Sequence, residues 1–204
     1  MDNQTMRCGR TSVKAREYDA VIAAPFGRVG FILDGDALVD VSFLDSGAPL
    51  SPPRSAQARR VSHVLRSYFT NPRLSFRVPL KLAGTPFQQR VWRALRRIPT
   101  GRTLSYGALA RMLDTSARAV GNACRANPIP IVIPCHRVVA SGYGDVQGRT
   151  SVGRSQPPAS RDISTSLYST GSRKLRATMG GFMGKRSGSP LSLKHWLLEH
   201  ERGE

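Results

Sequence analysis

A cysteine and a histidine stand side by side at the end of an apolar segment that three prolines stiffen. The segment covers residues 127–139 (NPIPIVIPCHRVV), in which Cys135 precedes His136. A thiolate is a far stronger nucleophile than a thiol, so a reactive cysteine needs a neighbouring base or positive charge. Three interpretations compete for this pair: metal binding, a buried unreactive thiol, and nucleophilic chemistry.

The other cysteines and histidines argue against a metal site. The chain has three cysteines (Cys8, Cys124 and Cys135), and none of its four histidines lies at zinc-finger spacing from a cysteine pair. An odd number of widely spaced cysteines also argues against a disulfide framework. We therefore expect no metal and no cofactor.

Nucleophilic chemistry would need a third residue that orients the histidine. Adjacent side chains of an extended segment point to opposite sides, so His136 would act on Cys135 through a water or a bend. Glu199 and Glu201, near the C-terminus, are the candidate carboxylates. The local sequence alone leaves the unreactive thiol and the nucleophile both open.

The composition predicts a polyanionic partner. The 204 residues carry 31 Lys and Arg against 13 Asp and Glu, a net charge of +18. Such a basic chain usually faces nucleic acid, although a basic surface without a specific partner stays open. The chain shows no apolar run of membrane-spanning length and no secretory signal, so we expect an intracellular protein, nuclear in a eukaryote and otherwise cytoplasmic.

The elements that must position the pair fall into two parts. In the first part, residues 18–43 predict strands with a hairpin turn at 34–36, and residues 56–69 predict an amphipathic helix. Residues 74–80 alternate like a further strand. This part, residues 1–82, is expected to be an α/β domain without clustered chemistry.

The second part predicts helices around the cysteine. Thr85 and Gln88 form a capping box that starts one helix. Two short helices over about 105–113 and 116–126, joined by a tight turn, are typical of a helix-turn-helix. The final apolar segment predicts another helix, at 191–201.

The second helix of that pair is rich in small residues and also carries long cations. Small side chains allow close approach to a narrow groove, although tight packing against another helix explains them equally well. Residues 144–178 contrast with it, being rich in Ser, Thr, Gly and Arg and almost without apolar periodicity. We expect them to form a disordered insertion that acts as a mobile basic arm on DNA, or a solvated spacer.

Taken together, these motifs closely resemble the O6-alkylguanine-DNA alkyltransferases, also called methylated-DNA–protein-cysteine methyltransferases. The Pro-Cys-His-Arg motif at 134–137 is complete, with GTPFQQRVWRALRRIPTGRTLSYGALA before it and LKHWLLEHE after it. The resemblance is strong over about 83–143 and 180–201, moderate in the first part, and absent from the insertion.

The resemblance implies an α+β fold: an N-terminal RNase H-like α/β domain (1–82), then a winged-helix (helix-turn-helix) catalytic domain (83–204). It implies a suicidal methyltransferase that binds double-stranded DNA in the minor groove and flips an O6-alkylguanine, or an O4-alkylthymine, out of the stack. The alkyl group would pass irreversibly to a cysteine, once per molecule. We expect a monomer.

The resemblance also implies catalytic roles, position by position. Cys135 would accept the alkyl group, His136 would draw the thiol proton through a water, and Glu201 would hold His136. Tyr106 would assist flipping and donate to the guanine ring.

The DNA-binding positions follow in the same way. Arg118 would fill the hole left by the flipped base, and Arg125 would meet the phosphate backbone. Thr115, Ala117 and Gly121 complete this expected surface.

The pocket itself is expected to be built by four further residues. Asn127 would fasten the turn before the active-site strand, Phe182 and Gly184 would form a wall, and Lys194 matches a lysine near the pocket. The chain departs from the family pattern at the long insertion, and Met183 stands where a serine is common. Three rivals stay open: a non-catalytic relative that flags lesions, a DNA-binding regulator, and a Cys-His protease.

Overall fold

The computed structural model describes residues 17–141, 143, 181–183 and 189–203. The expected arm at 144–178, as well as Cys8 and Gly184, lies outside the described residues. Within the described part, no helix is both long enough and apolar enough to cross a membrane.

An antiparallel meander opens the described chain, with strands β1 (Ala20–Ala24), β2 (Gly27–Asp34) and β3 (Ala37–Leu44) in that spatial order. The expected hairpin turn is confirmed. Gly35 has φ +59° in it, a left-handed conformation that glycine adopts without a steric penalty.

Helix α1 (Ala56–Thr70) packs against β1 and confirms the expected amphipathic helix. Ser55 caps it, because its hydroxyl accepts the N–H of Ala58 at 3.0 Å. The expected strand at 74–80 is wrong. Only Leu80 bridges to β3, where the backbone on either side of it makes two hydrogen bonds to the backbone of Leu38. Pro79 has no N–H, so it cannot donate to a longer ladder.

The second half of the described chain is mainly helical. Helix α2 (Pro86–Leu95) begins at the expected capping box, and α3 (Tyr106–Met112) and α4 (Ala117–Arg125) form the expected short pair. The C-terminal helix α5 (Ser189–Arg202) starts two residues earlier than predicted. The fold is thus a mixed α/β one.

A small parallel pair connects the helices to the cysteine. Strand β4 (Leu104–Ser105) pairs with β5 (Val138–Val139). Because α3 follows β4 directly and β5 follows the Pro-Cys-His-Arg motif directly, this pair places Tyr106 beside the motif.

The two halves share one core. The N–H of Val41 in β3 donates to the carbonyl of Pro128 at 2.9 Å, so the meander is bonded to the segment before the cysteine. The Phe43 and Phe182 rings lie 6.5 Å apart. The active-site segment therefore has the first half of the chain on one side and the helices of the second half on the other.

Candidate active site

The segment before the cysteine is a buried turn, where an extended strand was expected. The N–H of Ile133 donates to the carbonyl of Ile129 at 2.9 Å, and Ile131 between them has φ +74°. A left-handed conformation is costly for a β-branched side chain, by about 1–3 kcal/mol. The surrounding packing must therefore hold this turn firmly.

Asn127 supplies part of that hold. Its amide Nδ2 donates to the Ile133 carbonyl at 2.8 Å and to Cys135 Sγ at 3.3 Å, and its Oδ1 accepts the N–H of Ile129 at 3.1 Å. The Asn127 side chain is therefore hydrogen-bonded to both ends of the turn and to the thiol.

Cys135 opens a single 3-10 turn, Cys135–Arg137, so the expected extended geometry of the motif is also wrong. The thiol is buried, and burial raises its pKa, while the Asn127 hydrogen bond and the charge of Lys194 act in the opposite direction. At rest the sulfur is a protonated thiol, and it needs a base to become a nucleophile.

Glu201 on α5 accepts several hydrogen bonds behind the motif. Its Oε1 accepts from His136 Nε2 at 2.9 Å, from Arg137 Nη2 at 2.8 Å and from the Tyr68 hydroxyl at 2.8 Å. Its Oε2 accepts Arg137 Nε at 2.8 Å and the N–H of Gly101 at 3.4 Å. Both oxygens are thus occupied.

These donors fix the protonation of the His136–Glu201 pair. Burial alone would raise the pKa of Glu201, but His136 and the two-point contact of Arg137 outweigh it and hold that pKa well below its usual range. Burial lowers the pKa of His136. A carboxylate can only accept, so His136 carries its proton on Nε2 and keeps the Nδ1 lone pair as a base.

His136 Nδ1 is buried and has no hydrogen-bond partner among the described residues. The other candidate carboxylate, Glu199, lies apart from this cluster. It pairs with His195 Nδ1 at 2.9 Å along α5, and both side chains are partly exposed. The structure therefore brings Glu201 to the motif and leaves Glu199 on the outer face of the helix.

Arg137 and Tyr68 are two partners that the sequence analysis did not assign. Arg137 also donates to the Ile98 carbonyl and to Thr100 Oγ1, so each of its three guanidinium nitrogens has an acceptor. Its position inside the motif was a signal for it. Tyr68 gave no such signal, because it lies 133 residues from Glu201 in sequence.

Lys194 on α5 is fully buried, and its ammonium donates to the Val138 carbonyl at 2.8 Å. It lies 5.7 Å from the centre of the Tyr106 ring. Burial lowers the pKa of Lys194 to about 8, although Cys135 and Cys124 partly oppose this. A positive charge thus stands near both thiols.

In front of Cys135 lies a cavity of about 410 Å³, a volume suited to a small planar ligand. Helix α4 provides one wall. Its lining residues from the expected DNA-binding surface are Ala117, Arg118, Gly121 and Arg125. The expected Thr115 does not line the cavity; it lies half-buried between α3 and α4, where its N–H donates to Ala110.

Tyr106 and Phe182 form the opposite wall with Gly181 and Met183. The Tyr106 hydroxyl donates to the Gly181 carbonyl at 3.1 Å, and burial, followed by Cys124 and Cys135, raises its pKa. The hydroxyl therefore stays a proton donor. Among the described residues, no group of three or more His, Cys, Asp or Glu side chains could hold a metal ion.

Residues 86–156 match the family model of the 6-O-methylguanine DNA methyltransferase DNA-binding domain. A methylated-DNA–protein-cysteine methyltransferase of Methanosarcina acetivorans is 36% identical over 141 residues, 66% of this chain and 90% of that protein. One from Mycobacterium leprae is 43% identical over 122 residues, 56% of this chain and 73% of that protein.

Solved structures agree with the sequence matches. The crystal structure of Mycobacterium tuberculosis OGT in complex with DNA superimposes with a TM-score of 0.61, at 29% identity, over 90% of this chain and 91% of that one. An O6-methylguanine DNA methyltransferase from Methanococcus jannaschii gives 0.52 at 26% identity, over 90% and 93%. Because its motif, its cavity and relatives that are 36% and 43% identical and covered to 90% and 73% agree, the chain belongs to the methylated-DNA–protein-cysteine methyltransferase family.

Proposed function

We propose that this protein repairs DNA by moving the alkyl group from O6 of a guanine onto Cys135, in one irreversible step. The observation that carries the proposal is the position of the Cys135 thiol. It lies in the wall of a cavity, next in sequence to His136, whose Nε2 is hydrogen-bonded to the ionised carboxylate of Glu201. The sulfur forms a bond to the alkyl carbon, and the bond from that carbon to O6 breaks.

The thiol proton leaves through His136. Because Nε2 donates to Glu201, Nδ1 is the nitrogen that takes the proton, through a water between it and Sγ. The imidazolium that forms is stabilised by Glu201, whose own charge Arg137 holds. The departing guanine is an anion that the Tyr106 hydroxyl stabilises by a hydrogen bond and that a proton from water neutralises.

A thioether is stable, and no described group of the cavity could return the sulfur to a thiol. We therefore propose one turnover per molecule. Bulky alkyl groups and O4-alkylthymine are further substrates to be tested.

We propose that α4 enters the minor groove and that the target base leaves the stack to reach the cavity. Two features support this. Ala117 and Gly121 have little or no side chain to protrude from α4, so this face can approach a groove closely. Arg118 and Arg125 are exposed on the same helix. Flipping costs a few kcal/mol and leaves a gap that the Arg118 side chain fills, while Arg125 contacts a phosphate.

We also propose the finer organisation that the resemblance implies: an RNase H-like unit over 1–82, a winged-helix unit over 83–204, and a monomer in solution. The three-stranded meander with α1 supports the first unit, and the α3–α4 pair beside the short β4–β5 pair supports the second.

The test is to mix the protein with a duplex containing O6-methylguanine and measure the intact mass. One added methyl group per chain, mapped by peptide analysis to Cys135, is the expected result. Methyl on Cys124 instead, or transfer by a Cys135→Ser variant, would overturn the assignment. Cys124→Ser is the matched control, because this residue lines the same cavity.

A further inference from the structure

Tyr68 comes from the first half of the chain and reaches the catalytic carboxylate. Its hydroxyl donates to Glu201 Oε1 at 2.8 Å, and Oε1 is the same oxygen that accepts His136 Nε2. The ring is 1% exposed. The residue that orients the general base is therefore itself held by a helix that lies far from the motif in sequence.

The position of Tyr68 is fixed at two points by α5. His200 Nε2 lies 2.7 Å from the Tyr68 carbonyl, and the two rings pack edge to face at 5.4 Å. Glu201, the next residue, takes the hydroxyl. A side chain that served only to fill the core would not need both its backbone and its hydroxyl to be bound by consecutive residues of one helix.

The hydroxyl remains a donor at any working pH. Burial, together with the neighbouring Glu201 charge, raises the pKa of Tyr68 far above its ordinary value. The groups that face Glu201 and His136 are Tyr68 from α1, Arg137 from the 3-10 turn, and Lys194 from α5. Of these, Tyr68 is a neutral donor, so it draws charge from Oε1 without adding a cation.

We propose that Tyr68 is a positioning residue that sets the proton affinity of His136 through Glu201. The inference rests on the proposed function of the His136–Glu201 pair. A hydrogen bond donated to Oε1 lowers the negative charge that this oxygen presents to the imidazole. The imidazolium is then stabilised less, so His136 stays a neutral base down to a lower pH.

The test is the pH dependence of alkyl transfer by Tyr68→Phe, which keeps the ring and removes the donor. Without it, Glu201 stabilises the imidazolium more, so the acid limb of the rate profile should move to higher pH. In acidic buffer the rate should fall about three- to tenfold, less than the full effect of one hydrogen bond to a charged group, because Tyr68 acts on the imidazole only through Glu201. In mildly alkaline buffer the rate and the Kd for DNA should stay close to those of the wild type.

Tyr18→Phe is the matched control in the same half of the chain. The Tyr18 hydroxyl is buried and has no hydrogen-bond partner among the described residues, so its removal should leave the profile unchanged. A Tyr68→Phe profile that coincides with that of the wild type would show that Tyr68 only packs. Equal losses at every pH and in DNA binding would show general loosening, which also overturns the proposal.

A second variant keeps the test decisive if Tyr68→Phe does not fold. Difluorotyrosine at position 68 retains the size of the ring and is a stronger donor, so the acid limb should move to lower pH. A shift in the same direction as that of phenylalanine would refute the inference. If the wild-type protein itself takes up no alkyl group at Cys135, the proposed function fails first, and the two failures remain distinguishable.

Discussion

Arg137 holds Glu201 through two hydrogen bonds of 2.8 Å, and both residues are buried. At the scale of the residue, His136 and this contact together keep the carboxylate ionised, and a carboxylate that only accepts leaves the proton of His136 on Nε2. A buried ion pair adds little net stability relative to apolar packing, but removing one partner leaves a bare buried charge. Arg137 should therefore matter for folding as well as for chemistry.

Replacing Arg137 by Gln should lower the free energy of unfolding by about 3 kcal/mol, because the Glu201 charge loses its counter-ion. Urea denaturation at neutral pH measures this. Arg60→Gln, at an exposed position of α1, is the control and should stay within about 0.5 kcal/mol of the wild type. A loss no larger in Arg137→Gln than in the control would contradict the buried pair.

Replacing Glu201 by Gln should slow alkyl transfer by roughly a hundredfold and raise the apparent pKa of the thiol, because the imidazolium loses its stabilising charge. The Kd for DNA should be nearly unchanged, since Glu201 lies behind the cavity. Single-turnover rates and DNA titrations separate the two effects. Glu199→Gln, on the outer face of the same helix, is the control. Parallel losses in binding and transfer would indicate a structural role instead.

The motif residues could be predicted because their signal is local. Cys135 and His136 are neighbours, whereas the role of Asn127 was expected only from the resemblance. The local residues left Glu199 and Glu201 both open, and the resemblance pointed to Glu201. The packing of α5 turns Glu201 towards His136 and leaves Glu199 on the outer face. Tyr68 could not be predicted, because its contact joins two distant segments.

At the scale of the element, the two faces of α4 have different surroundings. Its buried face packs on α2 and α3, where the Trp92 indole donates to the Ala123 carbonyl at 2.8 Å. Its other face lines the cavity and exposes Arg118 and Arg125. The two cations differ in what we expect of them, so they can be separated by experiment.

Replacing Arg118 by Ala should slow transfer from duplex DNA more than transfer from free O6-benzylguanine, because the free base needs no flipping. Arg125→Ala should instead weaken binding to any duplex and reduce the log–log salt slope by about 0.9, the effect of one lost phosphate contact. Transfer rates on both substrates, and titrations over a salt series, test this. Equal losses on duplex and free base would reject the role of Arg118 in flipping.

The elements with local start signals were predicted well. Ser55 and Thr85 accept the N–H groups of their own first turns, so the sequence contains the whole interaction. Residues 74–80 were predicted wrongly because alternation shows only which side chains are apolar. Whether a ladder of hydrogen bonds forms depends on a partner strand. Pro79 lacks the backbone N–H that it would have to donate to such a ladder.

At the scale of the whole molecule, the two halves meet at the proposed active site. Val41 bonds to the backbone before the active-site turn, and Tyr68 bonds to the carboxylate behind it. The sequence predicted two successive parts and not their contacts, because a boundary in composition does not show which surfaces face each other. Protonation of the buried cluster should therefore affect the stability of the whole chain.

The stability of the protein should fall as the pH falls. Burial lowers the pKa of His136 below 6.5. On acidification, the imidazole of the unfolded chain is therefore protonated at a higher pH than that of the folded chain. The pKa of Glu201 lies below 4.5 in the folded state, which again leaves the unfolded chain with more protons. Both effects have the same sign, so unfolding becomes easier below about pH 6.5 and more so below about 4.5.

Urea midpoints over a pH series measure this trend, and His136→Gln should flatten its upper part. Glutamine can still donate to Glu201 but does not titrate, so the comparison isolates the imidazole. A midpoint that rises on acidification would contradict the neutral state of His136.

The hydrogen bond between Trp92 and Ala123 has an optical consequence. The chain has two tryptophans, and Trp196 stacks on His200 with the ring centres 4.7 Å apart, a contact that quenches indole emission. Most of the intrinsic fluorescence should then come from Trp92, whose indole N–H is bonded to α4 one residue before Cys124. Under the proposed docking of α4 on DNA, the emission of Trp92 should report DNA binding without a label, and a Trp196→Phe variant should retain that signal.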